Sequence, residues 1–179
     1  TAIGSDTLKN NTTGNYNTAV GRSALENHLD GTDNVAVGVA AMNTQTTGNQ
    51  NVAVGTVAQY YNNNVNGNTS VGHGSSYFAS IGDGNTTIGY RAGATAPVSA
   101  ANTLIGYGAG DGATSGNGNT VIGYNAGYGI PGPAGFDNCL VLGKEAIPTA
   151  NNQFVVGSIS TPVGTIAAYT GAAAETWEV

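Results

Sequence analysis

The residues that could do chemistry are few, and their spacing argues against most reactions. Asp-Gly pairs begin at Asp30, Asp83 and Asp111. A calcium loop needs several carboxylates clustered in one short segment, so these three predict turns instead. His28 and His73 have no partnered Cys, Glu or Asp at metal-ligand spacing, and both read as surface or loop residues. Cys139 is the single cysteine, which excludes an internal disulfide framework and a multi-cysteine metal site. It reads as a small apolar side chain inside a strand. One G-x-G-x-x-G runs from Gly127 to Gly132. A dinucleotide loop would open a helix there, which Pro131 and Pro133 forbid, so the segment reads as an inserted loop. There is no G-x-S-x-G elbow and no paired acid and base carboxylates. The chain is expected to be no enzyme and to hold neither cofactor nor metal.

The aromatic residues offer more. Tyr90, Tyr107 and Tyr124 each follow a Val/Ile-Gly pair and stand 17 residues apart. That spacing predicts rings stacked on successive turns of a repeat, with an aromatic strip for sugar rings as the functional alternative. Tyr60 and Tyr61 in "QYYNNNVNGN", and Tyr77 and Phe78 in "SSYFAS", read as exposed rings in unit-breaking loops. Those loops are candidate glycan contacts.

What positions these residues is a repeat. The glycine closing each "xAVG"-like tetrad falls at Gly4, Gly21, Gly38, Gly55, Gly72, Gly89, Gly106 and Gly123, always 17 apart, then at Gly143 and Gly157. The last two gaps are 20 and 14, so the phase is restored after one insertion. Fixed self-similarity of this kind marks a solenoid. The residue before each glycine is always Val, Ile or Leu, and the third residue after it is always small. Asn stands four before it at Asn17, Asn34, Asn51, Asn68, Asn85, Asn102 and Asn119.

The tetrads alternate with period two, which predicts a short strand in each unit. Asn and Gly before each strand supply turns. Helix is a poor alternative, because Gly and β-branched residues are weak formers. The expected fold is all-β: a parallel β-solenoid of about ten 17-residue coils. Its asparagines would form a ladder along the rod. Of the two strand faces, the bulky one (Thr18 and Val20, Val52 and Val54) is expected to fill the coil. The small one (Ala19 and Gly21, Ala53 and Gly55) is expected to let another chain approach. The middle strand residue grows along the rod from Ala2, Ala19, Ala36 and Ala53 through Ser70 and Thr87 to Leu104, Val121, Val141 and Val155. This reads as an interface that is tight at one end and splayed at the other. A coil this thin has little interior, so association of several chains is expected.

The totals agree with that picture. There are 29 Gly, only 8% charged residues and a net charge of −6. Average Gly usage is about 7%, and the excess suits a chain of tight turns. Ten acidic against four basic residues leave no footprint for nucleic acid or for an anionic membrane. No apolar run nears the ~20 residues of a membrane helix. Both ends read as cut from a longer protein.

The "NTAVGxxAL" and "NTVIGYNAG" units, over Thr1 to about Ser160, resemble the repeats of bacteriophage tail fibres and related virion fibres. They resemble more loosely the head repeats of trimeric autotransporter adhesins. Both resemblances imply a homotrimeric β-roll or β-helix. In the tail, "PVGTIAAYTGAAAETW" is similar to the opening of the phage tail-collar module. Val163, Gly164, Thr165, Ile166, Ala168, Tyr169 and Gly171 match it, while the usual Pro and Gly before Trp177 are missing. The organisation this implies is a repeat fibre over 1–160 and a linker with the start of a collar-like module over 161–179. The function it implies is a rigid shaft in a virion, with other tail proteins as partners and a host glycan or protein at its surface. Alternatives from the residues are a cellular adhesin, an ice-binding solenoid and a glycan depolymerase. The ice-binding reading rests on Thr18, Thr69, Thr86, Thr103 and Thr120, in a column interrupted by Val35 and Val52 on the apolar face.

Overall fold

The computed structural model describes residues 1–61, 64–78, 82–95, 100–112, 116–128 and 135–157. Ten strands appear, one in each predicted unit: β1 (Ala2–Ile3), β2 (Thr18–Val20), β3 (Val35–Val37), β4 (Val52–Val54), β5 (Thr69–Val71), β6 (Thr86–Ile88), β7 (Thr103–Ile105), β8 (Thr120–Ile122), β9 (Leu140–Leu142) and β10 (Phe154–Val156). They form one parallel sheet in sequence order. The register joins each tetrad to the same tetrad of the next unit, as in Ala19↔Ala36 and Ala36↔Ala53. The insertion before β9 does not disturb it, because Val121 pairs with Val141 and Val141 with Val155. The β-solenoid is therefore the fold. The 161–179 segment, with Ser160, lies outside the described residues.

Past each of β1 to β8 the chain turns by alternating left- and right-handed residues. Ser23 and Leu25 have φ of 58° and 50°, and Ala40 and Met42 repeat this at 55° and 51°. Ala24 N–H closes one turn on the Gly21 carbonyl at 3.3 Å. The intervening amides point to opposite neighbours: Ser23 N–H donates back to Ser5 O, and Leu25 N–H forward to Ala41 O. Backbone groups of the turn are thus satisfied by the coils on either side, as a thin solenoid requires.

The repeated glycine has a specific cause. Gly55 has φ +138°, and a Cβ there would stand 2.5 Å from the Gly72 carbonyl oxygen of the next coil. What approaches closely is the neighbouring coil, which corrects the expectation that the Ala and Gly face receives another chain. The inside-outside assignment is reversed as well. Ala19, Ala36 and Ala53 are fully buried, whereas Thr18 and Val20 are only partly covered and face outward. The coil is too narrow for two bulky walls, so the middle strand residue is small where the opposite wall is large.

That trade explains the growing column, which is no splaying interface. Opposite Ala19 stands Leu25, and opposite Ala36 stands Met42, all in one buried apolar cluster. Farther along, Leu104 fills the coil and Gly110 faces it, where a Cβ would lie 2.8 Å from Leu104 Cδ1. Leu104, Val121 and Val141 belong to a second cluster. Between the clusters the filling side chain changes walls through a polar node. Gln59 Nε2 donates to Ser70 Oγ (2.9 Å), Ser70 Oγ to Ser76 Oγ (3.2 Å), and Thr87 Oγ1 to Ser70 Oγ (2.9 Å). All four residues are buried. Hydroxyls of intermediate size fill the crossing point and satisfy one another there.

Candidate functional site

The asparagine ladder forms as the spacing predicts. Asn34 donates from its backbone N–H (2.9 Å) and from Nδ2 (3.1 Å) to Asn17 Oδ1, and its Nδ2 also reaches Gly48 O at 2.8 Å. Asn51 repeats this on Asn34, and Asn51 Oδ1 then accepts Asn68 N–H at 3.0 Å. The chain of acceptors runs through Asn85, Asn102 and Asn119. Cys139 ends it by donating its N–H to Asn119 Oδ1 at 2.8 Å. Cys139 is buried, but it stands just before β9 in the asparagine column and not inside a strand. A second ladder, on the surface, links Thr32, Asn49, Asn66 and Asp83 through side-chain oxygens accepting backbone N–H groups. It gives Asp83 the turn role expected of it.

Asp111 does more than turn the chain. Its carboxylate is nearly covered, and it accepts Arg91 Nε at 3.1 Å and Thr95 Oγ1 at 2.7 Å. The Arg91 guanidinium is held above its ordinary value, chiefly by that hydrogen bond and by the Asp111 charge. Asp30 is exposed. Among the described residues, no group of three or more His, Cys, Asp or Glu could hold a metal ion, and no helix is long and apolar enough to cross a membrane. Of the G-x-G-x-x-G, only Gly127 and Tyr128 are described. Gly127 occupies a regular coil position and donates its N–H to Ala146 O at 2.8 Å.

His28 corrects a sequence expectation. It is fully buried, with Nε2 3.3 Å from Asn34 Nδ2. The seventh residue after the repeat glycine points inward, where Gly31 leaves room for the ring. His73 is exposed, as expected.

The tyrosine strip forms and is longer than the three residues that announced it. Tyr90 and Tyr107 stack at 4.9 Å and 18°, and Tyr107 and Tyr124 at 5.2 Å and 17°. His73 extends the stack below Tyr90 at 5.4 Å, and Lys144 Nζ sits 5.9 Å from the Tyr124 ring centre. The same column spacing, 17 before Tyr90 and 20 after Tyr124, could have found both. Because both faces of Tyr107 are covered by neighbours, this strip presents ring edges outward.

Tyr60, Tyr61, Tyr77 and Phe78 are not in unit-breaking loops. They occupy the fifth and sixth positions after Gly55 and Gly72, in phase on adjacent coils. Tyr61 and Phe78 stack at 5.4 Å and 7°, and Tyr60 and Tyr77 at 5.4 Å and 29°. Tyr61 is 46% and Phe78 58% exposed. The same positions hold Asn43 and Thr44 one coil earlier and Ala94 and Thr95 one coil later, so the turn itself does not require rings.

Comparison with protein-family models, with curated proteins and with solved structures finds no match to this chain.

Proposed function

We propose that this chain is a non-catalytic shaft segment of a virion (phage tail) fibre. It assembles as a homotrimer, is joined to other tail proteins, and meets a host-surface glycan or protein along its side. The observation that supports the reading best is the unbroken in-register parallel ladder from β1 to β10. At ~4.8 Å per step, ten rungs make a rod ~45 Å long, whose strands and turns are tied to both neighbours. Such a rod transmits load and offers few local openings to a protease. Little charge and many surface Asn and Thr keep its sides polar without committing them to an ionic partner. The exposed Tyr61 and Phe78 are the surface groups best placed to meet a host molecule.

Immunogold labelling with an antibody raised against this chain tests the reading. Label along the tail fibres of virus particles is expected. Label on cell surfaces, with none on particles, would replace the virion reading with the cellular adhesin.

A further inference from the structure

Three phenols share one outward column on successive coils. Tyr90 and Tyr107 stack at 4.9 Å and 18°, and Tyr107 and Tyr124 at 5.2 Å and 17°. Each ring is about half exposed, at 43%, 51% and 48% in that order. Stack neighbours cover the ring faces, so the edges that carry the hydroxyl and the two Cε atoms meet solvent. The coils fix the spacing, because Tyr90 O accepts Gly108 N–H at 2.9 Å and Tyr107 O accepts Asn125 N–H at 2.8 Å.

We propose that this strip is a site of oxidative cross-linking, where Tyr90 and Tyr107 join through a Cε–Cε bond as dityrosine. The oxidant is a peroxide acting through a haem peroxidase. Each phenol gives up one electron and one proton and becomes a phenoxyl radical. The two radicals pair at carbons ortho to oxygen, and each of those carbons then passes its proton, through solvent, to the oxygen of its own ring. One C–C bond forms, two hydrogens leave the protein, and one hydrogen peroxide becomes two waters.

Proximity selects the partner. A ring held one coil away reacts within the molecule, whereas a ring of another molecule must first be met by diffusion. Half-exposed rings also have room to tilt until two Cε atoms touch. In the other tyrosine cluster Tyr61 stands edge-on to Tyr60 and Tyr77, at 76° and 77°, so ring edges there are aimed at ring faces. Charge selects the pair within the strip. Lys144 Nζ lies over the Tyr124 ring at 5.9 Å, and an ammonium there opposes removal of an electron from that ring. Arg91, next to Tyr90, directs its charge to Asp111 at 3.1 Å instead. The new bond closes a loop one repeat long, and such a tie restricts the unfolded chain.

Oxidation of the intact chain at micromolar concentration with a haem peroxidase and hydrogen peroxide, followed by trypsin, tests this. Cleavage after Arg91 separates Tyr90, in peptide 23–91, from Tyr107, in peptide 92–144. Blue dityrosine fluorescence is expected, with a joined peptide pair two hydrogens lighter than its parts and fragment ions that place the bond at Tyr90 and Tyr107. Tyr107→Phe keeps a ring in the stack and should lose that pair, whereas Tyr124→Phe should retain it. Peptides digested first and oxidised afterwards should give at least ~10-fold less of it, since the fold supplies the proximity. The cross-linked chain should unfold at higher urea than the untreated one. Absence of dityrosine, an equal yield from the mixed peptides, or a pair that persists in Tyr107→Phe would each overturn the proposal. So would cross-links found only at the mass of two chains on a denaturing gel.

Discussion

Exchanging the filled wall of one coil provides a sharp test of how the interior is built. In the β7 coil Leu104 fills the space and Gly110 faces it; in the β2 coil Ala19 faces Leu25. Leu104→Ala alone should leave a cavity and cost about 3 kcal/mol, the lower end of the buried Leu→Ala range. Gly110→Leu alone should cost a similar amount. Its Cβ would lie 2.8 and 3.0 Å from the Leu104 methyls, so overpacking contributes about 1–3 kcal/mol. The φ of +65° adds about 1 kcal/mol for a non-glycine residue. If the sites were independent, the pair would lose about 6 kcal/mol. The double variant instead recreates the β2 arrangement, in which Leu25 already sits at φ 50°, and should lose only about 1–2 kcal/mol. The coupling is then about 4 kcal/mol, far above the ~0.5 kcal/mol scatter of additive pairs. Thermal melts at fixed chain concentration resolve this, since 1 kcal/mol moves the midpoint by about 2–4 °C for a chain of this size. Each single variant should melt about 6–12 °C low, and the double only about 2–8 °C low, where additivity would put it about 12–24 °C low. A double variant as damaged as the sum of the singles would refute the exchange of volume between walls.

Other perturbations separate the remaining forces. Gly55→Ala should cost at least 2 kcal/mol in the same melt, from its φ of +138° and the contact with Gly72 O, while Gly67→Asn, at φ +66° with open space around it, should change little. Asn51→Leu removes the acceptor of Asn68 N–H and the donor to Val65 O (2.7 Å), and urea unfolding should show a loss of about 2–4 kcal/mol. Gln59→Leu should be neutral or stabilising by about 1 kcal/mol, because it continues the Leu25–Met42 column and removes the unpartnered Gln59 Oε1. The Asp6 carboxyl is held below its ordinary 3.8 by hydrogen bonds from Lys9 and then Ser5. A lowered native value contributes stability above the unfolded value and loses it as pH falls through the native one. Because the pair is fully exposed, Asp6→Asn should leave the melt at pH 7 unchanged while an NMR titration still places the Asp6 midpoint below 3.8.

Periodicity alone carried the strand positions, the coil repeat, the parallel register, the asparagine ladder and the stacking of Tyr90 on Tyr107. Each of these needs only that equivalent residues lie one coil apart, and a 17-residue spacing states that directly. Which strand face points inward was not legible. Period two divides Thr18 and Val20 from Ala19 without saying which side is dry, and both sides are uncharged. The tertiary structure decided it through volume: Ala19 fits against Leu25 in a narrow coil, and Val in its place would not. The same cause hid the burial of His28, the walls exchanged around Ser70, and the outward position of the aliphatic residue before each repeat glycine. All three depend on residues several positions apart in one coil facing each other, a distance that repetition along the rod does not encode.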